Sequence, residues 1–417
     1  MQKKARRKSL GAWTGLIGAA ALLFVIGIAV AVAARLWPGN TTSGRPPTAA
    51  AESAAAPLYV GMGWEPLPLA SHPSLAGYGL SRPPATQSSQ LSARAISFGP
   101  FAIVALDLLE IPNILRAAVS AKFPDQIVWV CATHTHSGPG GYDPSPLAQV
   151  AGARSYNGTT FYAVLDAAVK AIRSAQANAL PAKLRIGRAP HPELKRGRSH
   201  GATPDPTLWA LEATTLEGQM IGRVADFGAH ATIVPRSANL LSADWPGAAA
   251  LALPNGVVLQ GVGGDSSPIT DPTATSLDQR LTSYGSAIAE AARAALPATS
   301  ATGALLVEQR PVTVTFAPLL GVGTSLTTSI GLAKLGDTTL VCLPGELTGA
   351  ARADLEAKVP WLKDALIITL CGDELSYVES PRLQQTGQGE RLVLFPDAVD
   401  AFAAALSAPI AGPAARL

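Results

Sequence analysis

The segment Cys131-Ala-Thr-His134-Thr-His136-Ser-Gly-Pro-Gly-Gly141 directly follows the apolar run Ile127-Val-Trp-Val130. The run predicts a buried strand, and the glycines and proline after the histidines predict that regular structure ends there. If the strand continues through the histidines, its period of two places His134 and His136 on one face. Imidazole binds metals and transfers protons near neutral pH. The segment therefore predicts a sheet with a metal or acid–base site where this strand opens into a loop.

Short apolar runs alternate with stretches of helical spacing from Leu58 onward. This interleaving predicts an α/β fold of mixed β-sheets flanked by helices. Neither an internal repeat nor a boundary interrupts residues 58–417, so we expect one large domain there. The predicted strands are Phe101–Leu106, Ile127–Ala132, Leu184–Ile186, Leu208–Ala213, Ile221–Phe227, Gly256–Gly261, Ala304–Val307, Val312–Phe316, Thr339–Leu343 and Ala365–Leu370. The predicted helices are Phe161–Ile172, Leu277–Ala295 and Pro396–Leu406.

The first 57 residues predict a membrane anchor and a linker that precede the folded body. Residues 1–9 carry five basic and no acidic side chains, which predicts that they stay in the cytoplasm. Residues 10–35 form an apolar run, closed by Arg35, that is long enough for a transmembrane helix. The Pro- and Ala-rich residues 36–57 are a linker. The body then lies outside the cytoplasm, in the periplasm or the extracellular space. A cleaved signal peptide stays open, because Ala-rich sites follow the run.

Composition and charge limit the classes of protein and of partner that the sequence allows. Hydrophobic residues make up 48% of the chain and charged residues 15%, so a large buried core is expected. Outside residues 1–9 the chain has 27 basic and 29 acidic residues and no basic stripe, which argues against nucleic acid as a partner. Cys131, Cys342 and Cys371 each lie near the end of an apolar run without C-x-x-C spacing. We interpret them as small buried apolar residues, rather than as a disulfide framework or zinc ligands.

Five further segments place a side chain that can bind a metal or take part in catalysis at a strand end or a turn. They are Asp226-Phe-Gly-Ala-His230, Gly263-Gly-Asp265-Ser-Ser267-Pro268, Leu343-Pro-Gly-Glu346-Leu-Thr348, Cys371-Gly-Asp-Glu-Leu-Ser-Tyr377 and Arg196-Gly-Arg198-Ser199. Each alone also fits a structural role. For example, Glu346 is predicted to begin a helix, where the helix dipole favours a carboxylate. Ser267 is outside a G-x-S-x-G elbow, and Gly261–Gly264 lacks the Lys-Ser/Thr of a phosphate-binding loop.

Taken together, these motifs resemble the neutral/alkaline (non-lysosomal) ceramidase family over residues 58–400. The resemblance rests on five motifs that occur in the family's order and at nearly its spacing. They are Thr133–Gly141, His230 after an aromatic-Gly-Ala strand end, Gly264-Asp-Ser-Ser-Pro268, Pro344-Gly-Glu346-x-Thr348 and Tyr377-Val378. The nine-residue histidine motif is the most specific of them. The family's catalytic domain is therefore the fold that the resemblance implies for this body.

The resemblance also implies a zinc ion held by His134, His230, Glu346 and Tyr377. It implies that His136 bonds to the attacking water or the substrate, and that Arg198 stabilises the developing oxyanion. Ser267 matches the family's nucleophile or active-site hydroxyl. On chemical grounds we favour attack by water activated at the zinc, although the choice between water and Ser267 stays open. The implied substrate is ceramide or a related N-acyl (sphingo)lipid of the membrane, cleaved to a fatty acid and an amine base.

Several positions depart from the family pattern. Val262 and Ile269 replace the asparagines that flank the Gly-Asp-x-Ser-Pro motif, and His200 replaces a proline. The stretch Pro381–Glu390 lacks the family's second tyrosine. The implied ligands are thus retained better than the residues that contact the substrate. Two alternatives stay open: a zinc hydrolase of another amide or ester lipid, and a non-catalytic lipid-binding envelope protein on the same scaffold.

Overall fold

The computed structural model describes residues 58–70, 72–79, 82–297, 305–317 and 324–410. The predicted cytoplasmic segment (1–9), anchor (10–35) and linker (36–57) lie outside these residues. Within the described ranges, no helix is both long and apolar enough to cross a membrane.

The described body mixes strands and helices along its whole length, as predicted. The strands are β1 (Leu58–Pro66), β2 (Gln87–Ser88), β3 (Ser92–Ser97), β4 (Phe101–Leu106), β5 (Ile127–Ala132), β6 (Leu180–Pro190), β7 (Lys195–Gly197), β8 (Thr207–Thr215), β9 (Met220–Phe227), β10 (Leu240–Leu241), β11 (Val257–Leu259), β12 (Ser266–Pro268), β13 (Leu305–Thr315), β14 (Ser325–Leu335), β15 (Thr338–Cys342), β16 (Glu346–Leu347), β17 (Leu366–Ile368) and β18 (Tyr377–Val378). The helices are α1 (Asn113–Ser120), α2 (Pro146–Ala148), α3 (Gly158–Ala177), α4 (Asp244–Ala252), α5 (Leu277–Ala294), α6 (Gly349–Lys358), α7 (Pro381–Gln385) and α8 (Ala398–Ala405).

Two sheets form the centre of the fold. The larger has eight strands in the order β11-β9-β8-β6-β1-β3-β4-β5, with β11–β9 and β4–β5 parallel and the other pairs antiparallel. The smaller has the order β13-β14-β15-β17, with only β15–β17 parallel. Each sheet therefore mixes parallel and antiparallel pairs, which confirms the predicted mixed α/β architecture.

The alternation of side chains along β4 and β5 explains how the layers stack. Val104 and Val130 contribute to one apolar cluster, with α1 and α3, whereas Ile103 and Trp129 contribute to another, against the smaller sheet. Successive residues of a strand point to opposite faces, so both faces of the larger sheet are buried here. Helices α6 and α8 cover the outer face of the smaller sheet. The order of layers is thus helix, sheet, sheet, helix.

Helix α3 lies unusually close to β1. A Cβ atom added at Gly63 would stand 2.0 Å from the carbonyl oxygen of Ala171, so only glycine permits this approach. The helix begins at Gly158, after the N-cap Asn157, whose side chain accepts from Thr159 N. It buries an apolar stripe that includes Phe161 and Ile172. The predicted helix therefore exists and supports the strands that lead into the site.

The two outer strands of the larger sheet are joined by one segment, Thr369–Gly372, which follows β17. The backbone N–H of Gly372 donates to Val130 O in β5 at 2.9 Å, and that of Ala132 donates to Leu370 O at 3.0 Å. At its other end, the N–H of Thr369 donates to Gln260 O, just after β11, at 2.7 Å. The sheet thus curves until the carboxyl ends of β5 and β11 lie close together.

Every predicted strand overlaps an observed one, but the structure corrects the prediction at β13. The two predicted strands Ala304–Val307 and Val312–Phe316 are a single strand, Leu305–Thr315, in the part that the structure describes. Pro311 lies within it and is tolerated because β13 is an outer strand of the smaller sheet. Strands β1, β3 and β14 were not predicted, since their glycine and polar residues mask the apolar alternation.

The interpretation of the cysteines was wrong for two of the three. Cys131 and Cys371 form a disulfide between residues 240 positions apart in the chain, whereas Cys342 is a buried free thiol. The pairing follows from the segment Thr369–Gly372, which lies against β5 and brings the two cysteines opposite each other. No local sequence pattern reports such a contact.

Candidate metal centre

The histidine motif begins where β5 ends. The strand stops at Ala132, as its predicted bounds Ile127–Ala132 have it, and His134 adopts a left-handed conformation with φ of 63°, so the strand does not continue through the histidines. His134 is 3% exposed, and its Nδ1 lies 2.8 Å from Leu109 O. A backbone carbonyl only accepts, so Nδ1 carries the proton and Nε2 keeps a lone pair. The loop therefore presents Nε2 of His134 to the site.

His230 is presented in the same way by the loop after β9. Its Nδ1 lies 3.1 Å from both Gly263 O and Ser266 O, and its backbone N–H donates to Ser266 O at 3.0 Å. Two carbonyl acceptors again place the proton on Nδ1 and leave the lone pair on Nε2. Second acceptors of this kind are usual for histidines that bind metals, because they fix both the tautomer and the ring orientation.

Glu346 and Tyr377 are held by one short parallel ladder. They are register partners in the pair β16–β18, and the backbone N–H of Glu346 donates to Ser376 O at 2.8 Å. The turn before Glu346 contains Gly345 with φ of 77°, a conformation that suits glycine. The prediction that a helix begins at Glu346 was wrong: α6 begins at Gly349, after the N-cap Thr348. The ladder aims the carboxylate at the imidazoles.

Four side chains converge on one point. Glu346 Oε2 lies 3.1 Å from His134 Nε2 and 3.1 Å from His230 Nε2. The hydroxyl oxygen of Tyr377 lies 3.2 Å from His230 Nε2. With Nδ1 of each histidine protonated, the two Nε2 atoms and Glu346 Oε2 face each other as lone pairs, which repel unless a cation lies between them, whereas the Tyr377 hydroxyl can donate to His230 Nε2. Two imidazoles, one carboxylate and a phenol oxygen are a suitable donor set for zinc.

His136 belongs to the same cluster but differs in its surroundings. Its Nε2 lies 3.3 Å from His134 Nε2, and one ring nitrogen from each of His134, His136 and His230 lies within 4.8 Å of the others, so these three can form a metal site. Its Nδ1, however, is buried without a hydrogen-bond partner among the described residues. The tautomer of His136 is therefore not fixed by a carbonyl, which suits a histidine that gains and loses a proton.

The charges of the buried groups agree with this donor set. Burial lowers the pKa of His230 to about 4 and that of His136 well below its usual value, so both rings are neutral. Burial alone would raise the pKa of Glu346, but the two neighbouring histidines prevail and hold it well below its usual value. Burial also opposes a charge on His134, yet the Glu346 carboxylate prevails and raises its pKa. The cluster therefore favours a positive charge at its centre.

Arg198 and Ser267 stand at the wall of the pocket rather than in the cluster. Arg198 Nη1 lies 3.5 Å from the Tyr377 hydroxyl, and its Nε lies 3.6 Å from Glu390 Oε1. Ser267 lies in β12, opposite Arg196 of β7, and faces the same pocket. The structure thus brings all seven implied site residues to one place. In this chain a carboxylate, Glu390, also stands beside the arginine.

The cluster lies at one side of a cavity of about 450 Å³. Leu109, Leu392 and Leu394 contribute apolar wall, while Glu110 and Glu374 contribute carboxylates. A second, more open cleft of about 530 Å³ lies elsewhere, around Arg188, Asp205 and Arg352, and contains none of the site residues. The first cavity is the one that combines reactive groups with an apolar wall, as small-molecule sites usually do.

Two residues that shape the site were not assigned a role from the sequence. The ring of Tyr78 lies 5.2 Å from that of His136, and its hydroxyl donates to Val234 O at 2.5 Å. Arg82 Nη1 donates to His136 O at 2.6 Å. Tyr78 lies between two glycines, and all three residues have positive φ. The Gly-Tyr-Gly pattern was the available signal for this turn, but it does not indicate what the tyrosine contacts.

Comparison with known proteins agrees with this geometry. Residues 102–261 match the family described as neutral/alkaline non-lysosomal ceramidase, N-terminal. The neutral ceramidase of Pseudomonas aeruginosa is 30% identical over 147 residues, which cover 31% of this chain and only 22% of that protein. The family match over residues 102–261 contains His134, His136, Arg198 and His230, whereas Glu346 and Tyr377 lie beyond residue 261.

The fold extends the likeness beyond the matched sequence. A crystal structure of neutral ceramidase from Pseudomonas aeruginosa superposes with a TM-score of 0.70 at 18% identity, over 86% of this chain and 76% of that one. A structure described as ceramidase complexed with C2 gives 0.69 at 18% identity, over 86% and 77%. The resemblance of this chain to the neutral/alkaline non-lysosomal ceramidases is thereby confirmed, in sequence for residues 102–261 and in fold for most of the chain.

Proposed function

We propose that this protein is a zinc-dependent amide hydrolase that cleaves ceramide or a related N-acyl sphingolipid into a fatty acid and an amine base. The observation that carries the proposal is the convergence of His134 Nε2 and His230 Nε2 on Glu346 Oε2, at 3.1 Å each, beside an apolar cavity. His134, His230, Glu346 and Tyr377 would hold the zinc. When bound, zinc supplies Lewis-acid chemistry and makes water nucleophilic at neutral pH.

The remaining polar groups would position and neutralise the reacting amide. Arg198 carries fixed positive charge at the pocket wall, where it can stabilise negative charge on the carbonyl oxygen. The ring of His136, which burial keeps neutral by lowering its pKa, can bond to the attacking water or to the substrate. We assign the attack to water and keep Ser267 as a hydroxyl that binds the substrate, because its β12 position faces the pocket and no base among the described residues is bonded to it.

The pocket suits a lipid more than a sugar or a nucleotide. Its wall contains Leu109, Leu392 and Leu394, and Leu392 is half exposed at the surface. An acyl chain gains about 0.8 kcal/mol for each methylene that it buries, so a few buried methylenes already give substantial affinity. The amide would lie at the metal cluster, beside Arg198 and Ser267.

The proposal is tested on the purified full-length chain in detergent. We expect about one zinc per chain by metal analysis, and release of fatty acid from ceramide in mixed micelles. His134→Ala should abolish both. His191→Ala, which changes a histidine paired with Glu193 outside the pocket, should change neither. A zinc-loaded protein that is inert toward a panel of N-acyl lipids would refute the proposed activity.

A second candidate keeps the chemistry and changes the substrate to another amide or an ester lipid. The observation that favours it is Glu390, which stands 3.6 Å from Arg198 in the stretch where the family's second tyrosine is missing. A carboxylate there opposes substrates that carry negative charge near the reacting bond. Assaying ceramide, N-acyl amino acids and matched acyl esters side by side separates this candidate from the first.

We further propose that the body is anchored in the membrane by residues 10–35 and works outside the cytoplasm. The disulfide between Cys131 and Cys371 supports this, because such bonds persist mainly in oxidising compartments. An anchor would also keep the enzyme beside its insoluble substrate. Carbonate extraction of membranes tests the anchor. Protease treatment of intact cells, and of cells whose outer membrane alone has been permeabilised, tests the side on which the body lies. A protein that is released by carbonate, or that stays protected from protease in both preparations, would contradict the proposal.

A further inference from the structure

We propose that Gln260 is the positioning residue that sets the separation of His134 and His230, an inference that rests on the proposed metal-dependent function. Gln260 is 2% exposed. Its Nε2 donates to Thr133 O at 2.8 Å, and its Oε1 accepts from Ala229 N at 3.3 Å. Thr133 immediately precedes His134, and Ala229 immediately precedes His230. A single side chain thus bridges the two loops that carry the imidazoles.

The chemistry of the two partners fixes the orientation of the amide. Thr133 offers a carbonyl, which only accepts, and Ala229 offers a backbone N–H, which only donates. The amide nitrogen must therefore face Thr133 and the amide oxygen must face Ala229. Glutamate, methionine and leucine cannot make both bonds in their ordinary states. This position needs one hydrogen-bond donor and one acceptor at the end of the same side chain, and an amide group supplies both.

The backbone of Gln260 is itself held in place. Gln260 follows β11, an outer strand of the larger sheet, and Thr133 follows β5, the other outer strand. The carbonyl of Gln260 accepts from Thr369 N at 2.7 Å and from Thr369 Oγ1 at 3.2 Å. The backbone of Gln260 is therefore fixed, and its side chain spans the gap between the sheet's two outer strands. It contacts the residues that directly precede His134 and His230.

A second contact holds the same loops on the far side of the histidines. The backbone N–H of His136 donates to Ala231 O at 3.2 Å. The loops are thus tied before His134 and His230 by Gln260, and after them by a backbone bond. Leu109 O and Ser266 O would still hold each imidazole within its own loop in a Gln260 variant, but the side-chain bridge that ties the two loops to each other before the histidines would be lost, so the separation of the Nε2 atoms would be less firmly set.

The inference is tested with Gln260→Met, which keeps the length of the side chain and removes both bonds. Outer-sphere partners of metal ligands typically contribute tenfold to hundredfold in metal affinity, so we expect Zn²⁺ affinity to fall about 10- to 100-fold. Affinity is measured by chelator competition with Zn²⁺ alone, which does not depend on turnover. The matched control is Gln126→Met, another glutamine that bonds a backbone carbonyl, that of Gly99, away from the site.

Gln260→Glu is the second variant, because it keeps an acceptor for Ala229 N but loses the donor to Thr133 O. It should lose Zn²⁺ affinity as Gln260→Met does. Unchanged affinity in a folded Gln260 variant overturns the inference, as does an equal loss in Gln126→Met. If both Gln260 variants fail to fold while Gln126→Met folds, the residue is structural for the whole body and the inference is wrong. If the wild-type protein binds no Zn²⁺, the proposed function is refuted together with the inference. If wild type and Gln260→Met bind Zn²⁺ and hydrolyse substrate equally well, only the inference is refuted.

Discussion

Glu346 and Tyr377 lie opposite each other in a parallel ladder of only two residues per strand. The carboxylate and the phenol of the metal cluster therefore move together, whereas the two imidazoles come from loops after β5 and β9. The ladder is extended on both sides by the backbone bonds Glu346 N to Ser376 O and Thr348 N to Val378 O, at 2.8 and 3.1 Å. Each half of the proposed ligand set is thus held by its own backbone contacts.

The first prediction concerns the charge of Glu346. Glu346→Gln keeps the shape of the side chain but removes the negative charge that faces His134 and His230. We expect Zn²⁺ affinity to fall by more than about 100-fold, beyond the range for residues outside the ligand set. Chelator competition measures this. Affinity within tenfold of wild type would show that Glu346 is not a ligand.

The second prediction concerns the disulfide. It closes a loop of 240 residues, for which chain entropy gives up to about 5 kcal/mol of stabilisation. The double variant Cys131→Ala/Cys371→Ala should therefore lower the free energy of unfolding by several kcal/mol, measured with urea. Thiol titration in denaturant is the companion measurement. One thiol per chain before reduction and all three after it are expected, and three before reduction would contradict the disulfide.

The third prediction is a pH dependence of stability that arises from Lys195. Lys195 is 4% exposed, its Nζ donates to Gly228 O at 2.7 Å, and burial lowers its pKa to about 8. A lysine of the unfolded chain has a pKa near 10.4. Between about pH 8 and 10.4 the unfolded chain binds the extra proton, so the stability of the folded state rises with pH across this window.

The size of that rise is at most about 3 kcal/mol, because each pKa unit corresponds to about 1.4 kcal/mol. Lys195→Met should lack this increment. From about pH 8 to pH 10, the stability of wild type should therefore rise relative to the stability of Lys195→Met. The exposed Lys183→Met serves as the control. If the free energy of unfolding varies with pH in the same way for wild type and Lys195→Met, the pKa of Lys195 is not lowered in the folded state.

The fourth prediction concerns Glu390 and substrate charge. Glu390 stands 3.6 Å from Arg198, whose side chain is 32% exposed, so the pair is partly screened by solvent. Glu390→Gln should raise kcat/KM for an N-acyl amino acid relative to ceramide about fivefold, which corresponds to ~1 kcal/mol. The exposed Glu193→Gln should leave the ratio unchanged. An unchanged ratio in Glu390→Gln would mean that this carboxylate does not influence selectivity.

The sequence predicts those parts of the fold and site that depend on local patterns. Strand β5 was predicted with its observed bounds because all six of its residues are apolar and buried. His134, His230, Glu346 and Tyr377 could be nominated because each belongs to a short motif at a strand end, and the structure brings them together. Their roles as ligands stay predictions.

The parts that could not be predicted depend on contacts between distant segments. Gln260 and Thr133 follow the two outer strands of the larger sheet. The local sequence around either residue does not indicate that these two edges come together. The pairing of Cys131 with Cys371 depends on the same closure. The helix expected at Glu346 failed for a related reason, since a tertiary ladder with Tyr377 takes precedence over the local preference for a helix start.

The long reach of the disulfide also bears on how a newly made molecule acquires activity. Domains form during synthesis from the N-terminal side, at about 5–20 residues per second. The His134 and His230 loops leave the ribosome well before Glu346 and Tyr377, so a nascent chain holds only half of its ligand set. Contacts across 240 residues are slow to form, and the metal cluster is among the last features to be completed. Under the proposed function, the protein would therefore stay inert until the segment that carries Glu346 and Tyr377 has been made and has paired.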